Sequence, residues 1–240
     1  MTTPSSKINS GFTLIEMAIV LAIIGLILGG LLGSLTAQTD LRDYAETRKI
    51  MEDYKEALVG YTLTNKHLPC PDKTAGANNG INGNPNDGRE DFVVLTGSCS
   101  APEGNIPWAT LGLPDRDKWQ QWFIYRVTAA FSARAPLITF GLATNGSIRI
   151  CNEAACSVPR LTDVAIAAIV SRGKNRGNCS TASPPACADE TANTDNNFDF
   201  VSHEPRARTA LNPNGEYDDV VVWLSSSVLM NRMVAASQLP

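Results

Sequence analysis

The chain has 240 residues, 43% of them hydrophobic and 18% charged, with a formal net charge of -4. There is no basic patch or stripe, so no nucleic-acid partner is expected. About 200 residues follow an apolar N-terminal run, enough for one sizeable core.

Residues 1–11 are a polar leader with one charge, Lys7, ending at Gly11. From Phe12 to Leu35 the only ionisable side chain is Glu16. A helix over 12–35 rises about 1.5 Å per residue and spans roughly 36 Å, enough to cross a hydrocarbon core of roughly 30 Å with some tilt. A carboxylate inside it costs on the order of 3 kcal/mol on insertion scales. An amine would offset that cost, and cutting after Gly11 creates one on Phe12. Gly25, Gly29 and Gly33 share one helix face, a spacing that lets helices approach closely in lipid. Ordinary glycine enrichment of membrane helices accounts for them equally well. A plain signal anchor explains neither Glu16 nor the polar leader, and a secretory peptide would lose its apolar run to a small-residue site that Thr36-Ala37-Gln38 provides only weakly.

The helix should continue over 36–66. Tyr44, Met51, Tyr54, Leu58 and Tyr61 form one apolar stripe, charged residues occupy the other faces, and Pro69 and Pro71 end it. Packing of this stripe on the chain's own globular domain is favoured over coiled-coil pairing. Residues 72–91, rich in Asn, Gly and Asp, read as a solvated loop. Asn82-x-Asn84-x-Asn86 has Asp87 where a calcium loop demands glycine.

A domain rich in antiparallel strands is expected over 67–240. Strand signals fall at Phe92–Leu95, Phe123–Val127, Leu137–Leu142, Ile148–Ile150, Val164–Val170 and Asp219–Leu224, with a hairpin at Asn145-Gly146 and a serine-capped helix over Ser226–Ser237. The fold class is therefore α+β: a long N-terminal helix, half transmembrane and half amphipathic, packed on a β-rich domain.

All six cysteines, Cys70, Cys99, Cys151, Cys156, Cys179 and Cys187, lie beyond the apolar run. An even count there implies disulfides rather than a zinc site, which would want C-x-x-C pairs. The short spacings favour Cys151 with Cys156 and Cys179 with Cys187, leaving Cys70 with Cys99; other pairings remain open. No cofactor is expected, with one qualification over Ala188–Asp199. Oxygen-rich loops can hold calcium. Asp189, Asp195 and Asp199 are the candidates, beside Glu190 in the same segment, with Glu216, Asp218 and Asp219 contributing if the fold brings them near. A solvated acidic loop is the simpler reading.

Catalytic motifs are absent: no G-x-S-x-G, H-E-x-x-H, Walker A or G-x-G-x-x-G occurs, and His67 and His203 stand apart. An enzyme is not expected. Trp119 and Trp122 are weighed as a sugar-stacking surface against ordinary core residues.

The stretch Gly11-Phe12-Thr13-Leu14-Ile15-Glu16, leading straight into the apolar run, resembles the N-terminus of a type IV prepilin, the subunit class of type IV pili and type II secretion pseudopili. The resemblance covers Gly11 to Leu35. It implies cleavage after Gly11 by a prepilin peptidase and N-methylation of Phe12. Glu16 would then pair with the terminal amine of a neighbouring subunit and set the axial register. The implied partners are other pilin or pseudopilin subunits and an inner-membrane assembly platform. The implied location is the bacterial inner membrane, single-pass with the globular domain periplasmic, and then the filament. Residues 12–240 are longer than typical major pilins, which implies a minor pilin, with a pseudopilin as the alternative and a filament-displayed adhesive module as a second one.

Overall fold

The computed structural model describes residues 13–73, 81–134, 140–176, 187–206 and 215–238, without the side chains of 28–37 and 81–82. The chain divides into two units, Met1–Asp43 and Tyr44–Pro240. One helix, α1 (Leu14–Asn65), supplies most of the first unit and enters the second.

In the first unit the described side chains from Thr13 to Ile27 are all exposed, Leu14 at 93% and Leu26 at 80%. Among the described residues no helix is long and apolar enough to cross a membrane. Within the expected span the described side chains end at Ile27, short of the about 20 residues that a crossing requires; Phe12 and the side chains of 28–35, which complete the span, lie outside the description.

In the second unit α1 buries one face. Met51, Tyr54 and Leu58, from the expected stripe, are fully buried, and Thr47, Val59 and Thr62 join them. Tyr44 and Tyr61 are only partly covered. The helix stops where Lys66 turns left-handed (φ 66°), just before the proline-flanked Leu68–Pro71. Leu68 N–H then donates to Phe131 O (2.7 Å).

Six strands form the main sheet: β3 (Glu103–Asn105), β4 (Ile124–Val127), β5 (Ile148–Cys151), β6 (Thr162–Ser171), β7 (Asp199–Val201) and β8 (Val220–Ser225). Their order is β3-β4-β6-β5-β7, with β8 also on β6. The ten-residue β6 is thus the organising strand, buried from Ala165 to Ser171. That continuous burial explains its unbroken Ala/Ile/Val sequence, as in strands covered on both faces. The pairing is antiparallel except for β5 with β7, which run parallel. The expected antiparallel-rich domain thus holds one parallel pair. A parallel pair needs a long crossover, which β6 and the chain after it supply.

The core joins Met51, Tyr54 and Leu58 of α1 to Phe123, Tyr125, Ile166 and Val222, and to Leu229 and Met233 of α5 (Ser226–Ala235). Tyr54 and Phe123 meet edge-on at 5.5 Å. A smaller cluster of Ile148, Ile150, Phe200 and Val221 fills another part of the sheet. Ser225 caps α5 by accepting from Val228 N–H.

Two local expectations are corrected. The described residues of 72–91 are not simply solvated: Asp72 and Asp91 are fully buried, and β1 (Ile81–Asn82) pairs with β2 (Phe92–Val93). Asp72 draws the loop inward because its carboxylate accepts Asn86 N–H and Gly88 N–H, both at 2.8 Å. Asn145-Gly146 is not a hairpin tip either, since the described residues 140–147 before β5 hold no strand. Leu137, Ile138 and Thr139 of the expected partner strand lie outside the described residues. Gly146 instead allows close backbone approach, because a Cβ there would fall 1.9 Å from Ala165 O.

Candidate functional site

The N-terminal segment carries the first candidate site. Gly11 and Phe12 lie outside the described residues. Thr13 immediately precedes α1, and its N–H and Oγ1 both donate to Glu16 Oε2 at 2.9 Å. Glu16 N–H donates back to Thr13 Oγ1 at 3.3 Å. Thr13-Leu14-Ile15-Glu16 is therefore a reciprocal capping box, which satisfies two orphan donors of the helix start. The sequence signal for this is Thr13 followed three residues later by Glu16. The carboxylate keeps further lone pairs for a second partner, since an ionised carboxylate offers about four acceptor sites. Around Gly25 the helix face is open, with nothing within 4 Å of where a Cβ would stand. The surroundings of Gly29 and Gly33 are outside the description.

The cysteines staple the second unit. Cys70–Cys99 ties the segment after α1 to the chain beyond β2, and Cys151–Cys156 closes the turn after β5. Cys187 is in a disulfide, and Cys179 lies outside the described residues. No described cysteine is free.

The acidic residues sort differently from the expected set. Asp189, Asp195 and Asp199 do not converge. Asp189, fully buried at the start of α4 (Ala188–Ala192), accepts from Arg206, from His203 Nε2 (3.2 Å) and from Ala154 N–H (2.7 Å). Burial alone would raise its pKa, but these hydrogen bonds and the Arg206 charge hold it below the usual carboxylate value. Asp199 forms a two-pronged ion pair with Arg149, and the exposed Asp195 is bonded by Asn197. Each has its own partner, so the three are dispersed rather than gathered.

The carboxylates that meet are Glu190, Asp218 and Asp219. Glu190 is fully buried and accepts Asn175 Nδ2 at both oxygens (2.8 and 2.9 Å) and Asp218 N–H at 3.0 Å. Burial, with Asp218 and Glu216 close by, raises its pKa to about 7. Asp218 accepts Asn175 N–H at 2.9 Å, and burial together with Glu216 raises it to about 6. Asp219 is 1% exposed, accepts Asn193 Nδ2 at 2.8 Å and is raised well above the ordinary range by burial and by Glu190 and Asp218. Among the described residues a second set within reach of one ion, Cys151, Cys156 and Asp199, offers no thiolate because its cysteines are bridged.

Trp119 and Trp122 are both half-buried. Trp122 stacks on Trp108 at 5.8 Å and lies under Arg116 at 4.9 Å.

Residues 6–32 match the prokaryotic N-terminal methylation motif. The N-terminus therefore carries a class III, prepilin-type signal, of the kind that marks subunits for a prepilin peptidase and for assembly with other pilin subunits. That kind of protein is structural rather than enzymatic. No curated protein and no solved structure matches the chain.

Proposed function

We propose that this chain is a minor pilin, a structural subunit held in the inner membrane by its N-terminal helix and then assembled into a type IV pilus or related filament. Residues 1–11 are the leader, cut after Gly11; 12–35 are the membrane and filament-core helix; 36–66 continue it; and 67–240 are the stapled globular domain. Phe12 becomes the methylated terminus and Glu16 the assembly carboxylate. The observation that carries this reading is the methylation motif at 6–32, with its single carboxylate at the head of an apolar helix. Intact mass and N-terminal sequencing of protein from its native host test it. The mature chain should begin at methylated Phe12, and Gly11→Val should leave the leader attached. Mature protein retaining 1–11, or cut near Ala37, would overturn the reading. Recovery with a secretion apparatus rather than with sheared pili would assign it instead to a pseudopilus.

A further inference from the structure

We propose that the outer edge of β8 takes up a strand of a partner protein, an extended segment that pairs its main chain with β8 and brings a carboxylate to Arg48. The main sheet ends at β3, β7 and β8. Two of these edges are covered. At β3, Asn105 N–H donates to Asp72 O at 2.8 Å and Asp72 N–H donates back to Asn105 O at 3.0 Å. At β7, Val201 N–H donates to Asn193 Oδ1 at 2.7 Å, and Val201 O accepts Tyr217 OH at 2.6 Å. The third edge differs. β8 pairs with β6, and among the described residues nothing else bonds the backbone of 220–224. An edge strand presents a row of N–H and C=O groups that template another strand, and proteins usually blunt it with a charge or a proline. Val220-Val221-Val222-Trp223-Leu224-Ser225 carries neither.

A second observation is the space beside this strand. Two cavities of about 280 and 380 Å³ lie along it and share Arg48, Val221 and Trp223. In the first, the facing wall is α1, whose Arg48, Glu52 and Lys55 stand on one side of the helix. Lys55 is paired with Glu52. Arg48 is exposed and bonds Tyr44, and among the described residues no carboxylate pairs with it. Glu204 lines the second cavity alone, close to Tyr44. An incoming strand therefore meets an unpaired guanidinium midway along its path. A guanidinium takes a carboxylate through two parallel hydrogen bonds, which makes an acidic residue the matching group. Apolar side chains of the same strand would rest on half-buried Trp223 and on Val228, which is 43% exposed. In strand addition the main chain supplies affinity and the side-chain positions supply specificity. The surface belongs wholly to the second unit, so the proposal does not depend on the pilin reading.

The test uses the full chain in detergent and labelled peptides of alternating Val and Thr, blocked at both ends and about six residues long, the usual length of a strand. Their central residue is Glu, Gln or Lys. The Glu peptide should bind and slow hydrogen exchange of the β8 amides. The Gln peptide should bind about tenfold more weakly, having lost hydrogen bonds to a charged group, and the Lys peptide more weakly still. N-methylating one alternate set of amides in the Glu peptide should abolish binding, and N-methylating the other set should not, because only one set faces β8. Arg48→Glu, at an exposed helix position, should reverse the order of the Glu and Lys peptides. Equal affinity for the three peptides, binding that survives both N-methylations, or no binding up to about 1 mM peptide would overturn the proposal. So would a dimer of the full chain whose β8 amides are protected without peptide, since the edge would then belong to a second copy. The peptide series on the wild type decides even if the variant fails to fold.

Discussion

Glu16 stands between two demands. In the single chain its Oε2 is held by Thr13, closing the capping box at the start of α1. In a filament the same carboxylate would have to meet an amine. Three substitutions separate these roles. Glu16→Val removes both, and should leave insertion and the globular unit intact because neither needs the charge. Its recovery in sheared filaments should fall about tenfold or more, since leaving a buried charge unpaired costs about 3–5 kcal/mol. Glu16→Gln keeps an acceptor for Thr13 but no charge, and should assemble as poorly as the Val variant. Thr13→Ala loses about 1 kcal/mol of capping but keeps the charge, and should still assemble. Co-purification of all three with sheared filaments checks this. If Glu16→Gln assembles like the wild type, the cap rather than the charge is what matters.

At the scale of elements, packing overrules local signal in a few places, and Gly146 is one of them. A Cβ at this position would lie 1.9 Å from Ala165 O and 2.2 Å from its carbonyl carbon, both backbone atoms of the central strand β6. Gly146→Ala should destabilise the second unit by about 1–3 kcal/mol, the usual cost of overpacking, read by chemical denaturation. The same residue shows what the sequence conceals. Asn-Gly reads as a hairpin turn from local propensity, but here the glycine serves a contact about twenty residues away in the chain. The α1 stripe was legible because a 3.6-residue period needs no partner to be seen, and β6 and β8 because their apolar runs are long. The strands β1, β3 and β7 are two or three residues each and exist through pairing alone, so no period could announce them, whereas β2 falls inside the expected Phe92–Leu95 run, of which only Phe92–Val93 pairs. The acidic segment was legible as acidic. Which carboxylates meet was not, because Glu190 finds Asp218 and Asp219 across an intervening stretch that contains β7.

Over the whole molecule, burial of acids gives folding a pH dependence whose sign can be worked out at Asp72. It is fully buried where the chain leaves α1, and joins residues 72–91 to β3 through Asn86 N–H, Gly88 N–H and its own backbone pair with Asn105. Burial raises its pKa to about 6; the two backbone donors oppose the rise, and Asp91 and Asp87 add to it, with Lys73 facing Asp91. The native state therefore holds a proton that the unfolded chain has released at an ordinary carboxylate pKa of about 3.9. Where the native state binds more protons, stability falls as pH rises. Asp72's contribution is thus complete below about pH 4 and is lost as pH climbs to about 6. Asp72→Asn cannot titrate and leaves one backbone N–H facing an amide donor, so it should be less stable than the wild type near pH 4. Its deficit, about 1–3 kcal/mol for an unsatisfied buried donor, should be largest near pH 4 and shrink between pH 4 and 6 as the wild type loses its own share. Paired urea denaturation at several pH values reads this difference directly. A deficit that grows with pH would mean that Asp72 is held ionised in the native state, with its two backbone donors outweighing its burial.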